Sequence, residues 1–330
     1  MHNDIFSKNI FMILPGFEEQ RIDNFLHNKL KGVPRSMIYR ILRTGAVRIN
    51  KKRVKPWYKL QIGDEIYVPL IRTIRSKDAN LSKKMAVVTA LEDAIIYEDE
   101  YIIGLNKPSG IAVHGGSGLQ YGVIEALRSL RPATEFLELV HRLDRDTSGV
   151  LLLAKKRSSL RMLHEQLREN SMEKNYLALV QGRWPMHIKI VDAPLLKTIQ
   201  CNHQSKVRVH QNGKPSKTLF QIKENYAHIA TLVKASLVTG RMHQIRAHAL
   251  HIGHPIILDN LYGNSDFSKH FKGIGLQRLF LHAATLSFIH PHTKKIILIS
   301  APLDKQLNNC LKRLRFSATP VKCNQFNCFL

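Results

Sequence analysis

Acidic side chains are scarce in this chain: 25 Asp and Glu oppose 50 Lys and Arg, for a formal charge of +25. That imbalance calls for a phosphate-bearing partner, and on charge alone a membrane surface is the other candidate. No apolar run nears the ~20 residues needed to cross a bilayer, so a spanning helix is not expected. The N-terminus MHNDIFSKNIF has neither a charged leader nor a long apolar core, which predicts a cytoplasmic protein. Cysteine is sparse too. Cys201, Cys310, Cys323 and Cys328 are irregularly spaced, so neither a disulfide framework nor a metal set is expected, and the last two read as tail thiols. Heptad repeats are lacking, which predicts a monomer.

The chain of 330 residues, 44% apolar, has length and material for about two packed domains. Residues 21–75 are strongly basic, with fourteen Lys and Arg against Asp23, Asp64 and Glu65. Ile22, Phe25, Leu26 and Leu30 recur at helical spacing, and Ile38, Ile41 and Leu42 do so again behind Pro34, which suits a first helical turn. Alternation follows: Val47 and Ile49 before an Asn50-Lys51 turn, then Ile66 and Val68 behind Gly63-Asp64. Arg35, Arg40, Arg43, Lys51, Lys52 and Arg53 interleave with these elements, so one surface can be positive throughout. The stretch RIDNFLHNKLKGVPRSMIYRILRTGAVRINKKRV resembles the S4 domain, and that resemblance implies an RNA-binding module of the αL type.

An N-terminal segment (1–20) precedes this module. A polar linker (76–90) leads to a larger core (91–310), and a basic tail (311–330) closes the chain. In the core, residues 95–97, 101–105, 176–180, 229–233, 279–289 and 296–299 read as strands, and 158–168 as a helix. Many strands with few helices between them predict an α+β fold around a large, mixed, mostly antiparallel sheet.

Residues 141–149, HRLDRDTSG, hold Asp144 between Arg142 and Arg145, where a polyanion would dock. An Asp before a Thr-Ser-Gly turn can equally well serve backbone amides. Three further segments accompany it in order: LNKPSG (105–110), EKNYLALVQG (173–182) and VTGRMHQIRAHALHIGHPI (238–256). Together they resemble the RluA family of pseudouridine synthases over almost all of residues 91–305. The resemblance, with the S4 module, implies the pseudouridine synthase fold and isomerisation of specific uridines in 23S ribosomal RNA, without metal, reductant or nucleotide cofactor. It implies that Asp144 is the essential carboxylate, that Arg246 pairs with it, that Tyr176 stacks on the uracil, and that Arg142 fills the gap left by a flipped nucleotide. A neighbouring guanidinium helps to keep a carboxylate charged where water is excluded. Arg145, Lys107 and Arg241 are expected at the RNA face.

Several motifs compete. His251-Ile252-Gly253-His254 spells the HIGH signature of class I aminoacyl-tRNA synthetases, yet it closes a helical pattern and no KMSKS-like loop follows. His243, His248, His251 and His254 lack a companion acid or cysteine and read as packing or solvent-facing residues. HGGSG (114–118) lacks the glycine that a nucleophile elbow needs at Leu119. A non-enzymatic RNA-binding or ribosome-assembly protein shares every charge argument, but would not require Asp144, Tyr176 and Arg246 together. A synthase of the same family with another RNA target is the remaining alternative.

Overall fold

The computed structural model describes residues 9–30, 33, 35–69, 89–115, 122–132, 134–199 and 205–318. The chain divides into two compact units, Met1–Leu81 and Ser82–Leu330. Pro34, most of the expected linker, part of HGGSG, and Cys201, Cys323 and Cys328 lie outside the described residues.

In the first unit, helices Ile22–Lys29 and Arg35–Arg43 pack on a four-stranded antiparallel sheet. The strands lie in the order Asn9–Met12, Glu65–Val68, Arg48–Ile49 and Lys52–Arg53. The helical spacing seen in the sequence buries Ile22, Phe25, Leu26 and Leu30 against Ile38, Leu42, Val47 and Ile66. Asn50 and Lys51 take φ of 48° and 66°, the paired left-handed conformation of a tight hairpin turn. Asp64 is buried and fully employed: it accepts from Asn50 Nδ2 at 2.9 Å, Tyr58 Oη at 3.2 Å and the Gln61 amide at 2.9 Å. The first strand falls in what the sequence leaves as a mere N-terminal segment. It pairs along Glu65–Val68 and is followed by Ile13, buried in the same core.

The second unit is built on a ten-stranded sheet. Across it run Ile190–Asp192, Lys217–Tyr226, Ala230–Leu237, Glu173–Gln181, Leu281–Ile289, Ser148–Ala154, Ile102–Lys107 and Ile95–Glu98, while Ile296–Ser300 and Glu138–Leu139 pair alongside. Every pairing is antiparallel except that of Leu281–Ile289 with Ser148–Ala154, so the sheet is mixed and mostly antiparallel, as the sequence predicts. Ser148–Ala154 is buried at every position, which explains its unbroken apolar run. At its start Gly149 adopts φ of 108°, and a Cβ there would lie 2.2 Å from the Ala283 carbonyl oxygen. Glycine alone permits this approach of the two parallel strands.

The segment expected as a basic tail begins inside a packed helix. Helix Lys305–Ala318 runs past residue 311, and Leu307, Cys310, Leu311 and Leu314 bury one stripe of it against Phe271, Leu276 and Phe280. Apolar residues at i, i+3, i+4 and i+7 are the pattern of a packed helix. Burial raises the Cys310 thiol to about 11, so it is an inert packing group.

Candidate active site

The loop 141–147 leads into the central strand Ser148–Ala154. Leu143 drops into the core beside Leu105 and Leu151, which turns the next side chain, Asp144, toward a cavity of about 630 Å3. That volume lies in the range of about 300–1,000 Å3 that small-ligand sites occupy. Tyr176, on Glu173–Gln181, and Arg246, on helix Gln244–His251, line the same cavity, with Leu237, Ile245 and Leu281 as apolar walls.

The Asp144 carboxylate is one-third exposed. Its Oδ2 stands 3.5 Å from Arg246 Nη1 and 3.6 Å from His243 Nε2. Arg246 is held from behind. Its Nε and Nη2 donate to Oδ2 and Oδ1 of Asp259 at 2.7 and 2.8 Å, and its guanidinium lies 5.0 Å from the Tyr262 ring centroid. Burial opposes the Arg246 charge, but Asp259 foremost, then Asp144, outweigh it and hold the guanidinium above its ordinary value. Asp259 is fully buried and also accepts the amides of Leu261 and Tyr262 at 2.9 and 3.0 Å. One guanidinium edge is thereby fixed, leaving Nη1 toward Asp144. For Tyr176, burial first and the Asp144 charge second push the phenol well above its ordinary value, so it is neutral.

His243 precedes its helix in a left-handed conformation, φ 52°, which is rare outside glycine. Its Nδ1 lies 3.0 Å from Tyr262 Oη, and that oxygen accepts the Val207 amide at 2.9 Å. Burial lowers the imidazole pKa, opposed by Asp144 and reinforced by Arg246, so the ring is neutral at pH 7. The imidazole thus bridges the two sides of the site, Nδ1 against the Tyr262 phenol and Nε2 toward Asp144. The expectation that His243 is a packing or solvent-facing residue is corrected by this placement. His248 does pack: its Nδ1 meets Thr218 Oγ1 at 2.9 Å and its Nε2 the Ala193 carbonyl at 3.0 Å. His254 bonds the Gln181 carbonyl at 2.7 Å. Among the described residues, no group of three or more His, Cys, Asp or Glu side chains could hold a metal ion.

Lys107 requires a second correction. It is wholly buried, so it presents nothing to RNA. Its Nζ donates to the carbonyls of Pro108 and Ile111 at 2.8 Å and of Arg145 at 3.0 Å. Burial pulls its pKa down to about 7, against the attraction of Asp146. Three carbonyls match the three protons of an ammonium. The Gly110 amide also donates to the Arg145 carbonyl at 2.9 Å, and Ser109 Oγ to the Asp146 carbonyl at 2.7 Å, so the NKPSG turn ties down the loop that carries Asp144. Lys107→Met takes the ammonium from the Pro108 and Ile111 carbonyls, while the Arg145 carbonyl keeps the Gly110 amide. Each buried polar group left unsatisfied costs about 1–3 kcal/mol, so urea unfolding is expected to show a loss of about that size in total, once relief of the buried charge is counted. Single-turnover rate should fall further than RNA affinity.

Arg142 and Arg145 are exposed, and Arg145 Nε sits 3.1 Å from Asp146 Oδ1. Arg142 and Arg241 stand on the cavity wall, and Arg241 Nε reaches the Pro215 carbonyl at 3.3 Å. Gln244 ties the TGR turn to the helix: its Oε1 accepts the Arg241 amide and Thr239 Oγ1, while its Nε2 donates to the Lys217 carbonyl and Thr218 Oγ1. In the first unit Arg40, Arg43, Lys51, Lys52 and Arg53 are exposed, and Arg35 opens its helix.

This geometry agrees with comparisons to known proteins. The RNA pseudouridylate synthase family model matches residues 101–251, and the S4 domain model residues 20–66. Ribosomal large subunit pseudouridine synthase C of Yersinia pestis is 61% identical over 300 residues, covering 91% of this chain and 93% of that one. The protein of the same name from Escherichia coli K12 is 60% identical over 298 residues, covering 90% and 93%. Among solved structures, human RNA pseudouridylate synthase domain containing 4 superposes with a TM-score of 0.58 at 26% identity, covering 71% of this chain and 97% of that one. With such identity along nine-tenths of its length, and with an acid, a tyrosine and a braced arginine around one cavity, this chain belongs to the RNA pseudouridylate synthase family and carries an S4 domain.

Proposed function

We propose that this enzyme isomerises specific uridines of 23S ribosomal RNA to pseudouridine, with residues 91–310 as the catalytic domain and 21–75 as the RNA-binding domain. The carrying observation is that Asp144, Tyr176 and Arg246, drawn from three separate segments, line one cavity. The reaction breaks the bond from ribose to uracil N1 and forms one to C5. The proton on C5 leaves and N1 gains one, so no oxidant, reductant or cofactor is consumed. A carboxylate serves either as nucleophile at the ribose or as the base that takes a ribose proton. Asp144 is that group. Arg246 balances its charge, and the neutral His243 ring walls its other side.

The target base reaches the cavity by flipping out of its stack, which costs a few kcal/mol. Arg142 fills the gap, since a guanidinium plane can stack as well as bind phosphate. Tyr176 stacks on the uracil, its neutral phenol suiting a site where the base carries the changing charge. Arg145 and Arg241 hold phosphates at the rim. The enzyme works as a monomer in the cytoplasm. Tritium release from C5-labelled uracil in 23S ribosomal RNA tests this reading, and no release by the wild-type protein would overturn it.

Arg35, Arg40, Arg43, Lys51, Lys52 and Arg53 supply the affinity in the S4 domain. Charge neutralisation of Lys51, Lys52 and Arg53 to glutamine is expected to flatten the dependence of log K on log salt by about 2, at roughly 0.7 per single-strand phosphate contact. Filter binding across a salt series measures that slope. Single-turnover rate at saturating RNA should change little, and an equal loss there would assign these residues to the chemistry instead.

A further inference from the structure

The first unit carries a cavity of about 750 Å3 between helix Arg35–Arg43 and residues 53–57. Its rim holds Arg40, Arg43, Arg53 and Lys55, its floor is apolar, and no acidic residue lines it. Two aromatic rings complete the wall, Tyr39 at 46% exposed and Trp57 at 61% exposed. A tryptophan so open is unusual on a soluble surface unless a partner covers it.

The Trp57 ring stands on a rigid mount. Pro56 fixes one backbone angle of the turn, and the Tyr58 amide closes it onto the Lys55 carbonyl at 3.0 Å. The Pro56 and Tyr58 carbonyls accept the amides of Asp23 and Ile22 at 3.3 and 2.9 Å, which pins the turn to the start of helix Ile22–Lys29. Tyr39 is held similarly, its hydroxyl donating to Asp23 Oδ2 at 2.9 Å. Lys55 Nζ lies 5.4 Å from the Trp57 ring centroid. A flat π-face among cations and without acids suits an unpaired nucleotide, the base stacking and the phosphates meeting arginine. A duplex, whose bases already stack on each other, would leave the ring uncovered. We propose that Trp57, with Arg40, Arg43 and Arg53, forms a binding site for one unpaired nucleotide of RNA, outside the catalytic cavity. The proposal rests on RNA being the substrate.

The chain has two tryptophans, and the other, Trp184, is buried against Phe220 at 4.5 Å between ring centroids. Emission of the full-length protein therefore reports on Trp57 once the Trp57→Phe signal is subtracted. Titration with a short single-stranded RNA should quench the Trp57 component, and a blunt duplex of equal length should not. Trp57→Ala should bind the single strand about tenfold more weakly, the scale of one lost base stack, with Trp57→Phe restoring most of that. Three results overturn the proposal: quenching that survives in Trp57→Phe, equal quenching by duplex, or wild-type affinity in Trp57→Ala. Tritium release by the wild-type protein, measured alongside, tests the isomerase reading separately.

Discussion

Asp144→Asn is expected to abolish tritium release from C5-labelled 23S ribosomal RNA, a fall of at least about 10⁴-fold, while the variant still binds that RNA. Asparagine has the same shape, and the Asp144 carboxylate makes no close side-chain bond that the change would break, His243 Nε2 standing 3.6 Å off, so the cavity stays intact. What it lacks is the anion. The fold should tolerate the change, because Arg246 keeps its two bonds to Asp259 and the carboxylate it loses stands farther off, at 3.5 Å. Loss of rate without loss of unfolding free energy is therefore the signature of a group that acts on substrate. Asp144→Glu supplies a control of opposite kind, restoring the charge on a longer arm. It should also be severely impaired, since about 1 Å of misplacement can cost 10²-fold. Substantial release by Asp144→Asn would remove the carboxylate from the reaction.

The parts of this site legible in the sequence are those whose neighbours are also neighbours in the chain. Asp144 stands out because Leu143 points into the core and the Thr-Ser-Gly turn feeds a buried strand, a pattern compressed into nine residues. Arg246 sits in a run that shows both its helix and its turn. Asp259 lies just beyond that run, and nothing in Leu258-Asp259-Asn260 announces a carboxylate with four donors, since two of them come from Arg246 thirteen residues away. The burial of Lys107 escapes the sequence for a related reason. A lysine at a strand end before Pro-Ser-Gly normally meets solvent, and only the fold brings the Arg145 carbonyl, thirty-eight residues on, to its ammonium. Two further elements do carry a signal in the sequence. Phe11 and Ile13 alternate with exposed Ile10 and Met12, which is a strand signal, and the 307, 310, 311, 314 spacing marks a helix stripe. The short strands Ile190–Asp192 and Ser205–Val209 carry too few alternating residues to be separated from loops by pattern.

Asp259→Ala should cost about 3–5 kcal/mol of unfolding free energy, because it leaves the buried Arg246 cation without its partner. The Leu261 and Tyr262 amides lose their acceptor in the same step. With the brace gone, the Arg246 guanidinium has one anion left to follow, Asp144, and closing on it would seal the carboxylate that must reach the ribose. Activity should therefore fall together with stability, and RNA affinity much less. Arg246→Met makes the two effects separable. In the double variant the stranded cation is replaced by an apolar chain of similar reach, so stability should recover by an appreciable part of the single loss, giving a coupling on the order of 1–3 kcal/mol between the two positions. Activity should not recover, since the double variant has lost the Asp144 counter-charge altogether. Additive losses of stability in the double-mutant cycle, or restored turnover in the double variant, would show that Asp259 acts on the fold without passing through Arg246.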